Sequence, residues 1–368
     1  KNPVARPNIY AFYFLQYHQC PENDEFWGEG FTDWVNVKKA KPLFQGHRQP
    51  ILPSEEVGFY DLKDPEVLRR QAKTAKDHGI DGFIFHYYWF DGRKVLDTPL
   101  RNWLADPTID LPLALCWANE PWTRRWDGLE NDVLIPQDYG DRWVERFWSD
   151  IAPVLKDPRY LRINEAPILL IYRPGEIPNA YHAIKSLRRN AEANGYPALH
   201  LLAVAPSREI ASLGPEVLLE IDGVVGFPPG SQVRLESIAE IAPAARQIQG
   251  DVLAYQSVAL EPAGQVQWGV PSHLGVMPGW DNTARRGEAS YSFVGSNPLT
   301  WRQMVALSAI TRRGGAAETV FVNAWNEWAE GAALAPGVRF RRGFLSAMED
   351  LLVGDWPLAA DEGGYRGK

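Results

Sequence analysis

Eight short apolar runs, each separated from the next by a longer stretch, constrain the fold of this chain more than any other feature. The runs cover residues 9–15, 82–86, 113–117, 167–172, 199–204, 223–227, 274–278 and 319–324. Helices are expected over 65–78, 96–104, 141–155, 178–194, 234–249, 298–313 and 342–352. Alternation of this kind is the pattern of a parallel sheet covered by helices. Proline stands early in several of the helices, where its missing N–H costs little. Gly79 and Gly195 follow the first and fourth helices, as C-terminal caps do. The reading is an α/β fold, a single (β/α)8 barrel of the TIM type with long loops at its C-terminal face. A doubly wound open sheet is the alternative, but no glycine-rich phosphate turn follows the first run.

A bare barrel takes about 250 residues, so this 368-residue chain carries roughly a hundred residues of elaboration. They fall mainly at 17–64, 119–138 and 228–270, and no repeat or Ser/Gly linker divides residues 1–368 into separate domains. Hydrophobic residues make up 45% of the chain, enough for a substantial core. The 15 tryptophans exceed what that core needs, and most stand beside glycine, asparagine or charge. A net charge of −8 argues against a nucleic-acid partner and against a polybasic membrane-surface site. Two cysteines, Cys20 and Cys116, give no disulfide framework; they read as buried thiols or as one bridge. No apolar run reaches the ~18 residues of a membrane span. The 27 arginines against 11 lysines fit a GC-rich bacterial genome. The cytoplasm is the favoured compartment, with the periplasm or secretion open because Lys1 leaves room for a trimmed leader.

Barrel enzymes place their sites where strands end, and five ends here pair aromatics with polar groups. The first run leads into Tyr13, Tyr17 and His18, and its loop carries Trp27, Asp33 and Trp34. The second ends in His86, Tyr88 and Trp89; the third in Trp117, Asn119, Glu120, Trp122, Arg124, Arg125 and Trp126. The seventh gives Trp280 and Asp281, and the eighth gives Asn326, Glu327 and Glu330 between Trp325 and Trp328. Two carboxylates three residues apart and walled by indoles suit acid/base chemistry on a sugar. Apolar walls raise a carboxyl pKa, and indole faces offer stacking surfaces for pyranose rings. His86 reads equally as a hydrogen-bonded barrel residue. Arg124 and Arg125 read more readily as loop staples, and Trp27 and Trp34 could simply pin a long loop. No histidine pair stands at metal-ligand spacing, so neither a metal nor another cofactor is expected. No Gly-x-Ser-x-Gly elbow points to serine hydrolase chemistry.

The runs WGEGFTDW, CWANEPWTRRWDG, GVMPGWDNTARR and NAWNEWAEG make the chain resemble the WbsX-like proteins over nearly its whole length. These are related to glycoside hydrolase family 99, the endo-α-mannosidases and endo-α-mannanases. Family 99 is similar in the barrel and in an Asn-Glu-Trp-x-Glu-Gly motif on the last strand. The third-strand motif departs from the WbsX-like pattern: Pro121 stands where asparagine is expected, nearer the Glu-Pro-aromatic of family 99.

The resemblance implies roles for the two last-strand glutamates. Glu327 would deprotonate the sugar's own 2-hydroxyl, which displaces the leaving group to give a 1,2-anhydro sugar. Glu330 would protonate the departing oxygen and then serve as base for water, so that the reaction retains configuration without a glycosyl-enzyme ester, an exception to the usual scheme. Tyr13, Trp27, Trp34, His86, Tyr88, Trp117, Asn119, Glu120, Trp122, Arg124, Trp280, Asp281 and Asn326 would bind an oligo- or polysaccharide substrate. The expected function is a retaining, endo-acting glycoside hydrolase of a bacterial polysaccharide or related glycan. Two alternatives stand beside it, a glycosyltransferase of polysaccharide biosynthesis and a non-catalytic glycan-binding barrel. Residues three apart on a regular strand point oppositely, so both glutamates can address one sugar only if the strand ends near Asn326 or Glu327 and turns, as Gly331 permits.

Overall fold

The computed structural model describes residues 6–124, 129–204, 210, 213–230, 248–260, 269–310 and 319–353. Among them, eight parallel strands close a barrel: β1 (Asn8–Tyr13), β2 (Gly82–Phe90), β3 (Leu113–Trp117), β4 (Ala166–Ile171), β5 (His200–Val204), β6 (Gly223–Val225), β7 (Ser272–Val276) and β8 (Thr319–Val322). Each strand pairs with its neighbour in sequence. Closure falls at β1, where Tyr10 lies opposite Gly82 of β2 on one side and Phe321 of β8 on the other. The expected alternation is therefore the observed one, with strand ends moved by at most four residues.

Helices cover the barrel: α1 (Pro65–Asp77), α2 (Thr98–Ala105), α3 (Trp143–Leu155), α4 (Ala180–Ala193), α5 (Pro298–Ile310) and α6 (Gly343–Val353). The start of α1 shows why the boundaries are legible. Asp64 accepts a hydrogen bond from the Glu66 N–H, and Pro65 takes the first position, where no N–H is needed. After its end, Gly79 adopts φ +87°, and a Cβ there would come 2.2 Å from Leu352 of α6. The helix expected over 234–249 falls mostly on residues 231–247, and the end of the one over 298–313 on 311–318. Both lie outside the described residues.

Strand alternation sorts the aromatics into two layers. Phe12, His86, Phe227 and Phe321 fill the barrel interior, with Phe12 and Phe227 edge to face at 4.9 Å. Tyr13 points the other way and stacks on Phe83 at 4.6 Å beside Trp103 of α2. Trp117 likewise packs outward, against Trp89 and Phe147 of α3.

The elaborations gather at the rim where the strands end. The loop after β1 carries short helices at Pro21–Trp27 and Trp34–Lys39. After β3 comes an antiparallel hairpin of Trp122–Arg124 and Leu129–Ile135. A one-turn helix, Thr283–Arg286, follows β7, and a 3₁₀ turn, Trp328–Glu330, follows β8. Both cysteines are buried free thiols. Among the described residues no helix is long and apolar enough to cross a membrane.

Candidate active site

The last strand stops at Val322, and the chain then crosses the rim in a bridged loop. The Glu327 N–H donates to Ala332 O and the Ala332 N–H returns to Glu327 O, so the 3₁₀ turn between them is held shut. Gly331 closes the turn in the left-handed region at φ +65°. The strand ends two residues before the expected 324, but the turn itself is there, and it brings the Glu327 and Glu330 side chains to one cation. Arg285 donates from Nη2 to Glu327 Oε1 at 2.9 Å and from Nη1 to Glu330 Oε1 at 2.8 Å. Its Nη2 also pairs with Asp33 from the β1 loop.

Three carboxyls thus share one guanidinium. Glu327 is the deepest of the glutamates, its side chain 1% exposed against 24% for Glu330. Burial pushes the Glu327 carboxyl well above the ordinary carboxylate range; Arg285 opposes this, and Glu330 and Asp33 add to it. Burial works to lower the pKa of Arg285, but the three carboxyls outweigh it, and the guanidinium stays charged. Around Glu327, Gln16 donates from Nε2 to Oε2 at 3.0 Å while its Oε1 accepts from the Tyr88 hydroxyl at 3.1 Å. The Tyr17 hydroxyl accepts from the Trp328 N–H at 2.9 Å and lies 3.5 Å from Glu327 Oε1 as a donor.

Glu327, Glu330, Arg285, Gln16 and Tyr88 line a cleft of about 560 Å³. Trp27, His86, Tyr88, Glu120, Trp122 and Trp280 line it with Glu327 and Glu330, as do Phe14, Gln16, Tyr172, Phe227, Asn282, Arg285 and Arg286. The His86 ring stacks on Phe14 at 4.3 Å, and its Nε2 is buried with no hydrogen-bond partner among the described residues. Burial lowers its pKa to about 3, so the ring stands as neutral imidazole. A second, more apolar cavity of about 390 Å³ shares Trp280 with the cleft, but neither glutamate reaches it.

Other residues named from the sequence stand elsewhere. Tyr13 and Trp117 are corrected to the helix-facing layer, because strand alternation turns them away from the barrel mouth. Trp34 is a loop anchor: it is buried against Tyr17 and Tyr60, and its indole N–H donates to Tyr60 O at 2.8 Å. Asp281 ties two loops together, its Oδ1 accepting from the Thr283 N–H at 3.0 Å and its Oδ2 paired with His47 Nε2 at 2.7 Å. Arg124 pairs with Asp132 across the hairpin at 3.1 Å. Arg125 and Trp126 lie outside the described residues.

Asn119 and Asn326, each just before a cleft glutamate, zip neighbouring strand ends together. The Asn326 side chain exchanges two hydrogen bonds with the backbone of Phe14, at 2.8 and 2.9 Å. Asn119 does the same with the backbone of Arg173, at 2.7 and 2.8 Å. Arg173 in turn pairs with Glu120. Both asparagines therefore fix the glutamate that follows rather than facing the cleft.

Gln16 and Arg285 were not among the residues expected at the site, and Asp33 was named only as part of the first rim loop. Asp33 and Arg285 stand inside motifs legible in the sequence, yet no spacing links residues 252 positions apart.

The profile of the family described as Glycosyltransferase WbsX matches residues 9–348. Two relatives from strains of Xanthomonas campestris pv. campestris, both described as uncharacterized protein WxcX, are 38% and 37% identical over 353 residues. Each match covers 94% of this chain and 49% of the relative, so the chain spans about half the length of the relatives it matches. Among solved structures, a glycoside hydrolase-like protein superposes with a TM-score of 0.61 at 13% identity, covering 95% of each chain. The GH99 endo-alpha-mannosidase from Bacteroides thetaiotaomicron superposes with a TM-score of 0.50 at 14% identity, covering 94% of this chain and 96% of that one. At these identities the two structures share the fold with this chain. The family match, spanning both the barrel and the rim motifs, shows that this chain belongs to the WbsX glycosyltransferase family.

Proposed function

We propose that this chain is a glycan-active enzyme that cleaves O-glycosidic bonds, with Glu327 and Glu330 as its catalytic pair. One observation carries the reading. The two carboxyls are held on different nitrogens of a single guanidinium and line the same aromatic-walled cleft. Indole and tyrosine faces grip the apolar faces of a sugar, and flanking polar groups meet its hydroxyls. The proposed substrate is an oligo- or polysaccharide, cut by endo-action as the family resemblance implies.

In the proposed reaction Glu327 removes the proton from the substrate's 2-hydroxyl. O2 attacks C1, the C1–O bond breaks, and its electron pair leaves with the departing oxygen, which takes a proton from Glu330. The pair gains one proton and loses one, so its total charge is constant through the step. Water then gives a proton to Glu330 and attacks C1 of the 1,2-anhydro sugar. The C1–O2 bond opens, and O2 recovers its proton from Glu327. Two inversions leave the configuration retained. A base of raised pKa suits the first step, because a hydroxyl proton passes more readily to a stronger base.

A 2-deoxy or 2-O-methyl version of a cleaved substrate should bind without being cut, and the first-formed product should keep the starting anomeric configuration by proton NMR. Inversion, or efficient cleavage of the 2-deoxy compound, would contradict the mechanism while leaving a carbohydrate-active barrel. The description of the family favours a second reading, transfer of a sugar to a glycan acceptor. Product formation that depends on an added nucleotide sugar would select it.

A further inference from the structure

We infer that Asp33 is a positioning residue for the carboxyl pair, setting how firmly Glu327 holds a proton by competing with it for Arg285. The inference rests on the roles proposed for Glu327 and Glu330. Asp33 does not line the cleft, so it cannot act on a sugar directly. Its side chain is fully buried at the entrance to the Trp34–Lys39 helix, where Asn36 Nδ2 donates to Oδ1 at 2.8 Å. Its other oxygen pairs with Nη2 of Arg285, the same nitrogen that serves Glu327.

A third carboxyl on one cation is a costly way to build a loop. A buried charge needs a full partner, and an asparagine could make neutral hydrogen bonds from this position. What the carboxylate adds is electrostatic. Asp33 takes up part of the charge of Arg285 and brings its own negative charge close to Glu327, and both effects favour the protonated form of Glu327. The other charged or titratable groups facing Glu327 are Glu330 on its own turn, Tyr17 and Tyr60 from the β1 loop, Tyr88 from β2 and Arg285 itself. Burial raises the pKa of all three tyrosines, so they stay neutral hydroxyls, and Asp33 acts on Glu327 as a negative charge alongside Glu330.

The test is carbon-13 NMR titration of the glutamate carboxyls in the unliganded protein, with the Glu327 signal assigned through Glu327→Gln. In Asp33→Asn the Glu327 midpoint should fall by about one pH unit, while Asp33→Glu, which keeps the charge, stays near the parent. On any glycan the protein cleaves, the acidic limb of the rate profile should move down with it. Asp33→Ser, smaller and equally neutral, gives the same reading if the asparagine protein does not fold. An unmoved midpoint in the neutral variants overturns the inference, as does a glutamate variant that falls as far as they do. Full turnover by Glu327→Gln would instead overturn the catalytic reading, and the titration would still report on Asp33.

Discussion

Tyr13 and Tyr17 stand four positions apart at the end of β1, and their hydroxyls meet opposite environments. The Tyr13 ring packs against Phe83, Phe85 and Trp103, and its buried hydroxyl has no hydrogen-bond partner among the described residues. The Tyr17 hydroxyl holds the backbone of the turn after β8 and faces Glu327. An unpaired buried hydroxyl costs about 1–3 kcal/mol, so Tyr13→Phe should be neutral or up to about 1 kcal/mol more stable, with turnover unchanged. Tyr17→Phe should lose stability and activity together. Denaturant melts and a rate assay on both variants check this contrast, and a loss of turnover in Tyr13→Phe would bring Tyr13 back into the site. At this scale the sequence shows residue type but not facing. Tyr13 and Trp117 look like cleft residues because they end strands, and only the phase of the strand, one residue either way, sends them to the helices. Asp33 and Arg285 escape for a different reason. Their importance lies in a shared contact between the first and seventh strand ends, which no local pattern encodes.

Among the elements, the turn after β8 carries the greatest constraint. Its last residue, Gly331, adopts φ +65°, and a Cβ there would stand 2.9 Å from the Asp281 amide nitrogen and 2.8 Å from Ile51 Cδ1. That amide donates to Glu330 O at 2.6 Å, so any shift passes directly to the proposed acid. Gly331→Ala should cost about 1–2 kcal/mol for the left-handed backbone alone and lower turnover by at least tenfold through displacement of Glu330. A melt with a parallel rate assay tests it; an alanine protein as active as the parent would mean that the turn does not hold the acid in place. The need for this turn was legible, since residues three apart on a strand cannot face one sugar. Its exact start was not, because Trp325 and Asn326 look like more strand but are held by bonds to β1: the Trp325 N–H donates to Phe12 O, and Asn326 clasps Phe14. The Trp34–Lys39 segment shows the converse. Its indole reads as a sugar platform yet anchors the loop to Tyr60, a partner far along the same loop that spacing does not reveal.

For the whole molecule, the barrel was the most legible level, because eight strands alternating with helical stretches repeat one pattern along the chain. The energetic signature of the site should also be visible in the stability of the entire fold. The folded-state pKa of Glu327 lies above its ordinary value of 4.5, so between those two values the folded protein binds more protons than the unfolded one. Stability therefore falls as pH rises through that interval, by up to about 1.4 kcal/mol per pH unit. Glu327→Gln lacks this titration. Its melting temperature relative to the parent should climb from pH 5 to pH 8, and a difference that stays flat would mean that Glu327 is ionised as readily as an exposed glutamate. The measurement that bears most directly on the central claim is the release of new reducing ends from a panel of bacterial polysaccharides and α-mannans, without nucleotide sugars. The parent, Glu327→Gln and Glu330→Gln proteins should be compared side by side, each shown to be folded. The account predicts cleavage of at least one glycan by the parent, with rates down by about 10²–10⁴-fold in each variant. Cleavage at the parental rate by either variant, or product that forms only when a nucleotide sugar is supplied, would contradict it.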